Sequence, residues 1–388
     1  MIYLDHAATT PVLEASLRAA WPWLTTEFGN PSSTHELGLR AKVALDDARA
    51  RTAKAIAARP SEVYFTSGAT EANNLAIKGI ALANPRGRHI VSAKTEHESV
   101  LASIDYLVRE HGFEVTWLEV DDWGMYTPDS LEAALRSDTT LVTLMWVNNE
   151  TGTRHFIPSF ANLCHERGIP MHVDAVQAAT TEDVNMFDLR IAALSLSGHK
   201  LGAPKGSGML FVRDGVPFEP QISGGGQEHG MRSGTENVAW AVAFATAIEI
   251  TRYRSPEPFT LPDTRRFIER VIADVPGARL TGHEVQRSPL IASFVFEGVS
   301  GETVLLELER HGIVCSSGSA CAAGRDEPSH VLTAMGFDED LARTAVRFSF
   351  AKRFSNQKST AEQSDYDLDR VVDVLREVVL SLRGRMNS

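Results

Sequence analysis

Two of the chain's three cysteines stand in His311–Gly324, which reads HGIVCSSGSACAAG. Thiols in such a stretch serve as disulfide partners, metal ligands or nucleophiles, and each use predicts a different protein. Three cysteines in 388 residues are odd in number and too few for a disulfide framework, which fits a reducing compartment. A metal site needs a closed ligand set, and Cys315 and Cys321 with His311 or His330 supply only part of one. Five residues separate the thiols, zinc pairs usually have about two to four, and no second pair exists. A nucleophile asks for a thiolate on an accessible loop, and Ser-Ser-Gly-Ser-Ala before Cys321 with Ala-Ala-Gly after it reads as a tether of small residues.

A second constellation is spread along the chain. The apolar run PMHVD ends at Asp174, and LSLSG runs into His199-Lys200. An acid at one strand end and a lysine at another fit a pyridine-ring cofactor, whose ring nitrogen the carboxylate keeps protonated and whose aldehyde the lysine holds as a Schiff base. Each alone reads as a solvated cap. In FTSGATEANN, Phe65–Asn74, a strand passes through Ser-Gly-Ala-Thr into a helix, so free N–H groups with the Ser67 and Thr70 hydroxyls make an anion cradle. Taken by itself, that pattern is an ordinary N-cap.

Elements that place such residues are readable in outline. From about Glu62 to Val212 the runs VYFT, HIVS, EVTWLEV, LVTLMWV, PMHVD, LSLSG and GMLFV alternate with helix-like segments, which predicts a largely parallel sheet covered by helices. Ligands gather at the strand ends of such sheets. A helical stretch around 237–254 is followed by SPEPFTLPD, a domain boundary, and then by a new α/β pattern with helix Thr264–Asp274, strand SFVFEG and helix Gly301–His311. Leu368, Val371, Val372, Leu375, Val378, Val379 and Leu382 recur at helical spacing as a packing face. The N-terminus MIYLDHAATTP shows neither a leader pattern nor a membrane span, which predicts a cytoplasmic protein. With 38 Lys+Arg against 50 Asp+Glu and a net charge of -12, a broad nucleic-acid surface is not expected.

The segments GNPSSTH (29–35), SGATEANN, TEH (95–97), NNETG (148–152), HVDAVQ, SGHK, GGGQEHGMRSGTEN (224–237) and SSGSAC are ordered along the whole chain, from YLDHAATTP to RFSF. Together they resemble the NifS/IscS-type cysteine desulfurases of the class V aminotransferase-like, fold-type I pyridoxal-phosphate enzymes. That resemblance implies an α/β fold with a mainly parallel seven-stranded sheet, helices on both faces and a smaller α/β C-terminal domain. It implies residues 1–14 packing with the small domain, a large domain over 15–255, and a small domain over 256–388 carrying a mobile catalytic loop at 316–324. It implies pyridoxal phosphate bound covalently by Lys200, with Asp174 at the pyridinium nitrogen, Gln177 at the phenolic oxygen and His97 on the ring face moving protons. Ala69, Thr70, Ser197 and His199 would hold the phosphate, joined by Thr235 from a second subunit of a homodimer. Asn149 would steer the ring oxygen or the substrate carboxylate, and Arg347 would grip the carboxylate with its planar fork. No resident metal is expected.

By the same resemblance, Cys321 attacks the sulfur of bound L-cysteine, becomes a persulfide, releases alanine and passes sulfur to an acceptor or scaffold protein for iron–sulfur, thio-cofactor or tRNA synthesis. Cys315 and Cys164 read as packing residues. Relatives on this fold include selenocysteine lyases and cysteine-sulfinate desulfinases; a non-catalytic sulfur or metal scaffold would lack a cofactor absorbance band. Two departures stand out: His229 where the family commonly has arginine, and Ala351-Lys352 where a single glycine is more usual before RF.

Overall fold

The fold begins with a two-residue strand, β1 (Ile2–Tyr3), whose partner lies more than three hundred residues away. In the computed structural model the described residues are 1–84, 86–252, 263–318, 328–351 and 368–386. Cys321, the expected boundary at 255/256 and Lys352 lie outside them.

The seven apolar runs become β2 (Val63–Thr66), β3 (His89–Ala93), β4 (Glu114–Leu118), β5 (Thr139–Met145), β6 (Met171–Asp174), β7 (Ala193–Ser197) and β8 (Gly208–Val212). They form one sheet in the order β2-β8-β7-β6-β5-β3-β4. Pairs from β4 through β7 are parallel, and β8 runs antiparallel to both its neighbours, so the sheet is seven-stranded and mainly parallel as expected. Its inner strands are buried at every residue, which is why they read as continuous apolar runs rather than alternations. The two faces are nonetheless distinct. Val91, Val142, Val173, Leu194 and Phe211 pack into one core with helices Ile157–Glu166 and Val238–Arg252. Their sequence neighbours Ile90, Leu141, Ala193, Leu210 and Val212 pack into another with helices Ala69–Ala83 and Glu98–His111.

A second core forms around β9 (Ala278–Leu280), β10 (Ile291–Phe296), β11 (Ile313–Val314) and β12 (Val346–Ser349). Strand β10 lies between β9 and β12, antiparallel to both, while β11 pairs in parallel with β1. Helices Thr264–Asp274, Gly301–Arg310 and Leu368–Met386 cover it, the last burying Val371, Val372, Leu375 and Val379. Leu4 is buried in this core, and its carbonyl accepts from Ser349 N–H at 2.7 Å, so the N-terminal segment is tied to both β11 and β12. No helix among the described residues is long and apolar enough to cross a membrane.

Two features position the loops that follow the strands. Glu228, in the glycine-rich segment, is buried and bonded to Arg49 through both carboxylate oxygens at 2.6 and 2.7 Å, and it also accepts from Phe65 N–H at 2.8 Å. One carboxylate thus pins residues 228–230 to the helix Glu36–Ala55 and to β2. Glu228 and His229 take positive φ angles of 45° and 56°, and that fixed carboxylate holds them there. Second, Gly208 starts β8 against the turn at Gly68: a Cβ there would lie 2.6 Å from the Gly68 Cα, too close for any side chain. Replacing Gly208 with alanine should therefore cost roughly 1–3 kcal/mol in urea unfolding, because the turn that opens helix Ala69–Ala83 must move.

Candidate active site

Strands β6 and β7 lie side by side with Asp174 opposite Ser195, so their carboxyl ends open at one edge of the sheet. Lys200 follows β7 at the end of a short turn, Gly198–Lys200. Its Nζ donates to the carbonyls of Ala7 and, at 2.6 Å, of Ala8. The Ala7 carbonyl also accepts from Gln177 Nε2 at 3.0 Å. His199 contacts the Thr9 hydroxyl at 3.2 Å through Nδ1, and its carbonyl accepts from Thr10 N–H. The segment from Asp5 to Thr10 therefore lies directly against the loop carrying Lys200. Burial, reinforced by the Lys200 and Lys205 charges, lowers His199 to about 4, so it is a neutral ring at pH 7.

Asp174 is almost wholly buried and receives two donors: Val176 N–H to Oδ1 at 3.0 Å and Asn73 Nδ2 to Oδ2 at 2.8 Å. Asn73, fully buried, also donates to the Ser99 hydroxyl at 2.9 Å. His97 caps helix Glu98–His111 with Nδ1 accepting from Ser99 N–H at 3.1 Å, and the Ser99 hydroxyl lies 2.8 Å from the same nitrogen. A nitrogen that accepts a backbone N–H carries no proton, so the hydroxyl donates to it and neutral His97 holds its proton on Nε2. A continuous chain of bonds thus joins Asp174 to His97 through Asn73 and Ser99. Asn73 lies in the SGATEANN motif, which by itself gives it no role. The available signal was an amide in the apolar stripe of Ala72, Ala76, Ile77 and Ile80, where a polar group needs buried partners.

Other predicted residues occupy the same rim. Helix Ala69–Ala83 opens at Ala69 and Thr70, whose N–H groups have no intrahelical acceptor. Ser67, expected in the cradle, instead gives its N–H and hydroxyl to Glu71 at 3.0 and 2.6 Å. Burial alone would raise the Glu71 carboxyl, but Arg232, at 2.8 Å, and Ser67 hold it below the usual range. Ser197 is buried at the end of β7. Thr235 is exposed and lies on the same segment as Arg232. A cavity of about 320 Å³ opens between Thr70 and Glu71 on one side and Ile222, Met231 and Arg232 on the other.

Arg347, on β12, is 2% exposed. Its Nη1 donates to the carbonyls of Asn149 and Gly318 at 2.9 and 3.1 Å, and its Nη2 to Asp5 Oδ1 at 2.8 Å. The structure thus brings Arg347 and Asn149 together and adds Asp5, a residue to which sequence reading gave no role. Glu96, in the TEH motif, is fully buried: burial pushes its carboxyl well above the usual range, Oε1 accepts from Met145 N–H at 2.6 Å, and Oε2 has no partner among the described residues. Cys164 is buried, which raises its thiol to about 12, and Cys315 packs against the second core with its thiol likewise held up by burial. Neither is poised to be a thiolate at neutral pH.

Two outcomes follow from this geometry. Asn73→Ala leaves Ser99 and Asp174 without a shared donor and should cost about 1–3 kcal/mol of stability in urea unfolding; an unchanged midpoint would show the chain of bonds to be idle. His6, buried beside Thr10, is lowered from 6.5 to about 4. A depressed histidine favours the unfolded state only where that state binds the proton. Stability should therefore be full above pH 6.5 and fall toward pH 4, by on the order of 3 kcal/mol for His6, as read from unfolding midpoints across that window; His6→Asn should flatten the slope.

The family model "Aminotransferase class-V" matches residues 2–359. A curated relative described as cysteine desulfurase IscS, from Methanosarcina thermophila, is 41% identical over 385 residues, covering 99% of this chain and 93% of that protein. A solved structure described as a NIFS-like protein superposes with a TM-score of 0.85 at 31% identity, covering 98% of this chain and all of that one. Another, described as SspA in complex with cysteine, gives 0.81 at 36% identity over 91% of this chain and 99% of that one. With a match spanning nearly the whole length and a sheet edge that carries Lys200, Asp174 and His97 in order, this chain belongs to the aminotransferase class-V family.

Proposed function

We propose that the chain is a pyridoxal-phosphate-dependent cysteine desulfurase, converting L-cysteine to L-alanine and taking the sulfur onto Cys321 as a persulfide. The observation that carries the reading is that the paired strands β6 and β7 end at the same side of the sheet, one at Asp174, held by Asn73, and the other in the turn that carries Lys200. The donor set fits the cofactor. A carboxylate at a strand end suits a pyridinium nitrogen, the open helix start at Ala69 and Thr70 with Ser197 and His199 suits a phosphate, and Gln177 and Asn149 suit a phenolic oxygen. When bound, the cofactor supplies an electron sink for bonds at the substrate's α-carbon.

The chain's own groups divide the remaining work. Lys200 Nζ holds the cofactor covalently and moves the α-proton. Asp174, oriented by Asn73 and Val176 N–H, keeps the pyridine nitrogen protonated. His97 hands on protons at Nε2, since Nδ1 is committed to Ser99. Arg347 and Asn149 orient the α-carboxylate. The Cys321 thiolate attacks the substrate sulfur: a sulfur–sulfur bond forms, the carbon–sulfur bond breaks, and its electron pair stays with the β-carbon, which takes up a proton and becomes the methyl of alanine. No external oxidant or reductant is needed. The sulfur then passes to an acceptor protein serving iron–sulfur cluster or thio-cofactor synthesis.

A homodimer accompanies this reading, with Thr235 completing the partner's phosphate site. Exposed Leu17, Trp21 and Leu24 share one face of helix Glu14–Thr25, and exposed Leu39 and Val43 share one face of helix Glu36–Ala55, apolar surface of the kind a subunit covers. The domain limits proposed are 15–255 and 256–388, with residues 1–14 belonging to the smaller unit.

Two variants and the wild-type protein test the assignment. Cys321→Ala should keep the absorbance band of the bound cofactor and lose persulfide formation from L-cysteine, by at least about a hundredfold. Lys200→Ala should lose the covalent cofactor band. Full sulfur transfer by Cys321→Ala would remove the nucleophile assignment, and a wild-type protein that takes up no pyridoxal phosphate would remove the whole reading.

A further inference from the structure

A guanidinium carries five N–H donors, and a carboxylate is gripped best by two of them along one edge. On Arg347 the outer edge is already engaged. Both carbonyl contacts of Nη1 come from backbone, at Asn149 and Gly318, whereas Nη2 is held by the side chain of Asp5. Nε is buried and has no partner among the described residues. The backbone partners are fixed by their own surroundings. The strand pair that carries Arg347 is clamped to Ser316 in both directions, at 2.6 and 3.2 Å, and the Asn149 loop is held by Asn148 Oδ1 accepting from Glu150 and Thr151 N–H at 2.9 Å each. Asp5 alone among the three can leave by turning a side chain. It is also the partly exposed member of the pair, 18% against 2% for Arg347.

We infer that Asp5 is a built-in competitor that sets the affinity for carboxylate ligands: its carboxylate occupies on Arg347 the place the substrate's α-carboxylate takes, and the two compete for it. The inference rests on the reading of Arg347 as the carboxylate grip. Its physical basis is charge. A buried guanidinium without a counter-ion is strongly unfavourable, and a resting-state carboxylate removes that penalty. Exchanging Asp5 for a substrate carboxylate leaves the fork neutralised before and after, whereas a ligand without a carboxylate offers nothing in exchange and cannot turn Asp5 away. Selection for an α-carboxylate therefore costs affinity, because every carboxylate ligand must first displace Asp5. Removing the competitor should tighten carboxylate ligands and leave the others alone, the reverse of what loss of a merely structural contact would do.

The test uses full-length protein loaded with pyridoxal phosphate, titrated spectrally with L-alanine and with cysteamine, which keeps the amine and thiol of cysteine and lacks its carboxylate. Asp5→Asn should bind L-alanine about tenfold tighter and lower the KM for L-cysteine, with cysteamine unchanged. Unchanged or weaker L-alanine binding would overturn the inference. Arg347→Lys separates it from the underlying reading: if that variant binds L-alanine as wild type does, Arg347 is not the grip. If it weakens binding while Asp5→Asn does not tighten it, the competition alone is refuted. Should Asp5→Asn not fold, the wild-type holoenzyme crystallised with L-alanine decides. Asp5 turned away with the ligand carboxylate on Nη2 supports the exchange, and an intact Asp5–Arg347 contact with the carboxylate elsewhere overturns it.

Discussion

The carbonyl oxygen of Ala7 receives both the Lys200 ammonium and the Gln177 amide, and much of the site's geometry depends on that shared acceptor. A lysine at the end of a buried strand needs donors satisfied where water is scarce, and helix or sheet partners are already spent on the ladder. The N-terminal segment supplies the missing acceptors. It can do so because Leu4 is anchored in the second core while Asp5 and His6 follow β12, so Ala7 and Ala8 are delivered to Lys200 by a chain fixed on the other side. The Ala7 N–H is itself held by the Ser349 hydroxyl at 2.8 Å. A few residues thus couple the second core to the loop after β7, and a displacement of β12 would be felt at Lys200.

On the opposite side of the site the coupling runs through side chains. Asn73 holds Asp174 with one hand of its amide nitrogen and Ser99 with the other, and Ser99 fixes the tautomer of His97. Asp174 and His97 are thereby both oriented through a single helix residue. Buried networks of this kind specify geometry well when every member is satisfied. Here one member is not: Asn73 Oδ1 has no partner among the described residues, as is also true of Glu96 Oε2 outside this network. Burial pushes the Glu96 carboxyl well above its usual range, and its Oε1 accepts from Met145 N–H.

The sequence made the sheet legible because buried parallel strands announce themselves as unbroken apolar runs between helical stretches. All seven were visible, as were Asp174 and Lys200 at their ends. Strand order was not, since periodicity says nothing about which strands pair, and the antiparallel insertion of β8 between β2 and β7 leaves no mark in a five-residue run. Long-range polar pairs were equally silent. Arg49 and Glu228 are separated by 179 residues, Asp5 and Arg347 by 342, and each looks like an ordinary surface charge until the fold buries it. Ser67 misled in the other direction, because an N-terminal serine serves a nearby glutamate as readily as a ligand, and Glu71 was in reach.

The loops that frame the site also hold both ends of the stretch containing Cys321. On one side the Gly318 carbonyl rests on Arg347; on the other, Ser329 donates to Glu150 at 2.5 Å and His330 contacts the Glu96 carbonyl at 2.9 Å. Asn149, Glu150 and Glu96 belong to the two motifs, NNETG and TEH, that also carry candidate site residues. The described residues on either side of that segment are therefore held by the loops that carry the NNETG and TEH motifs and by Arg347. Arg347 is the shared element: one arm meets Asp5, the other meets the foot of that segment. Any ligand that changes what Nη2 holds acts on a group whose Nη1 fixes where the chain toward Cys321 begins.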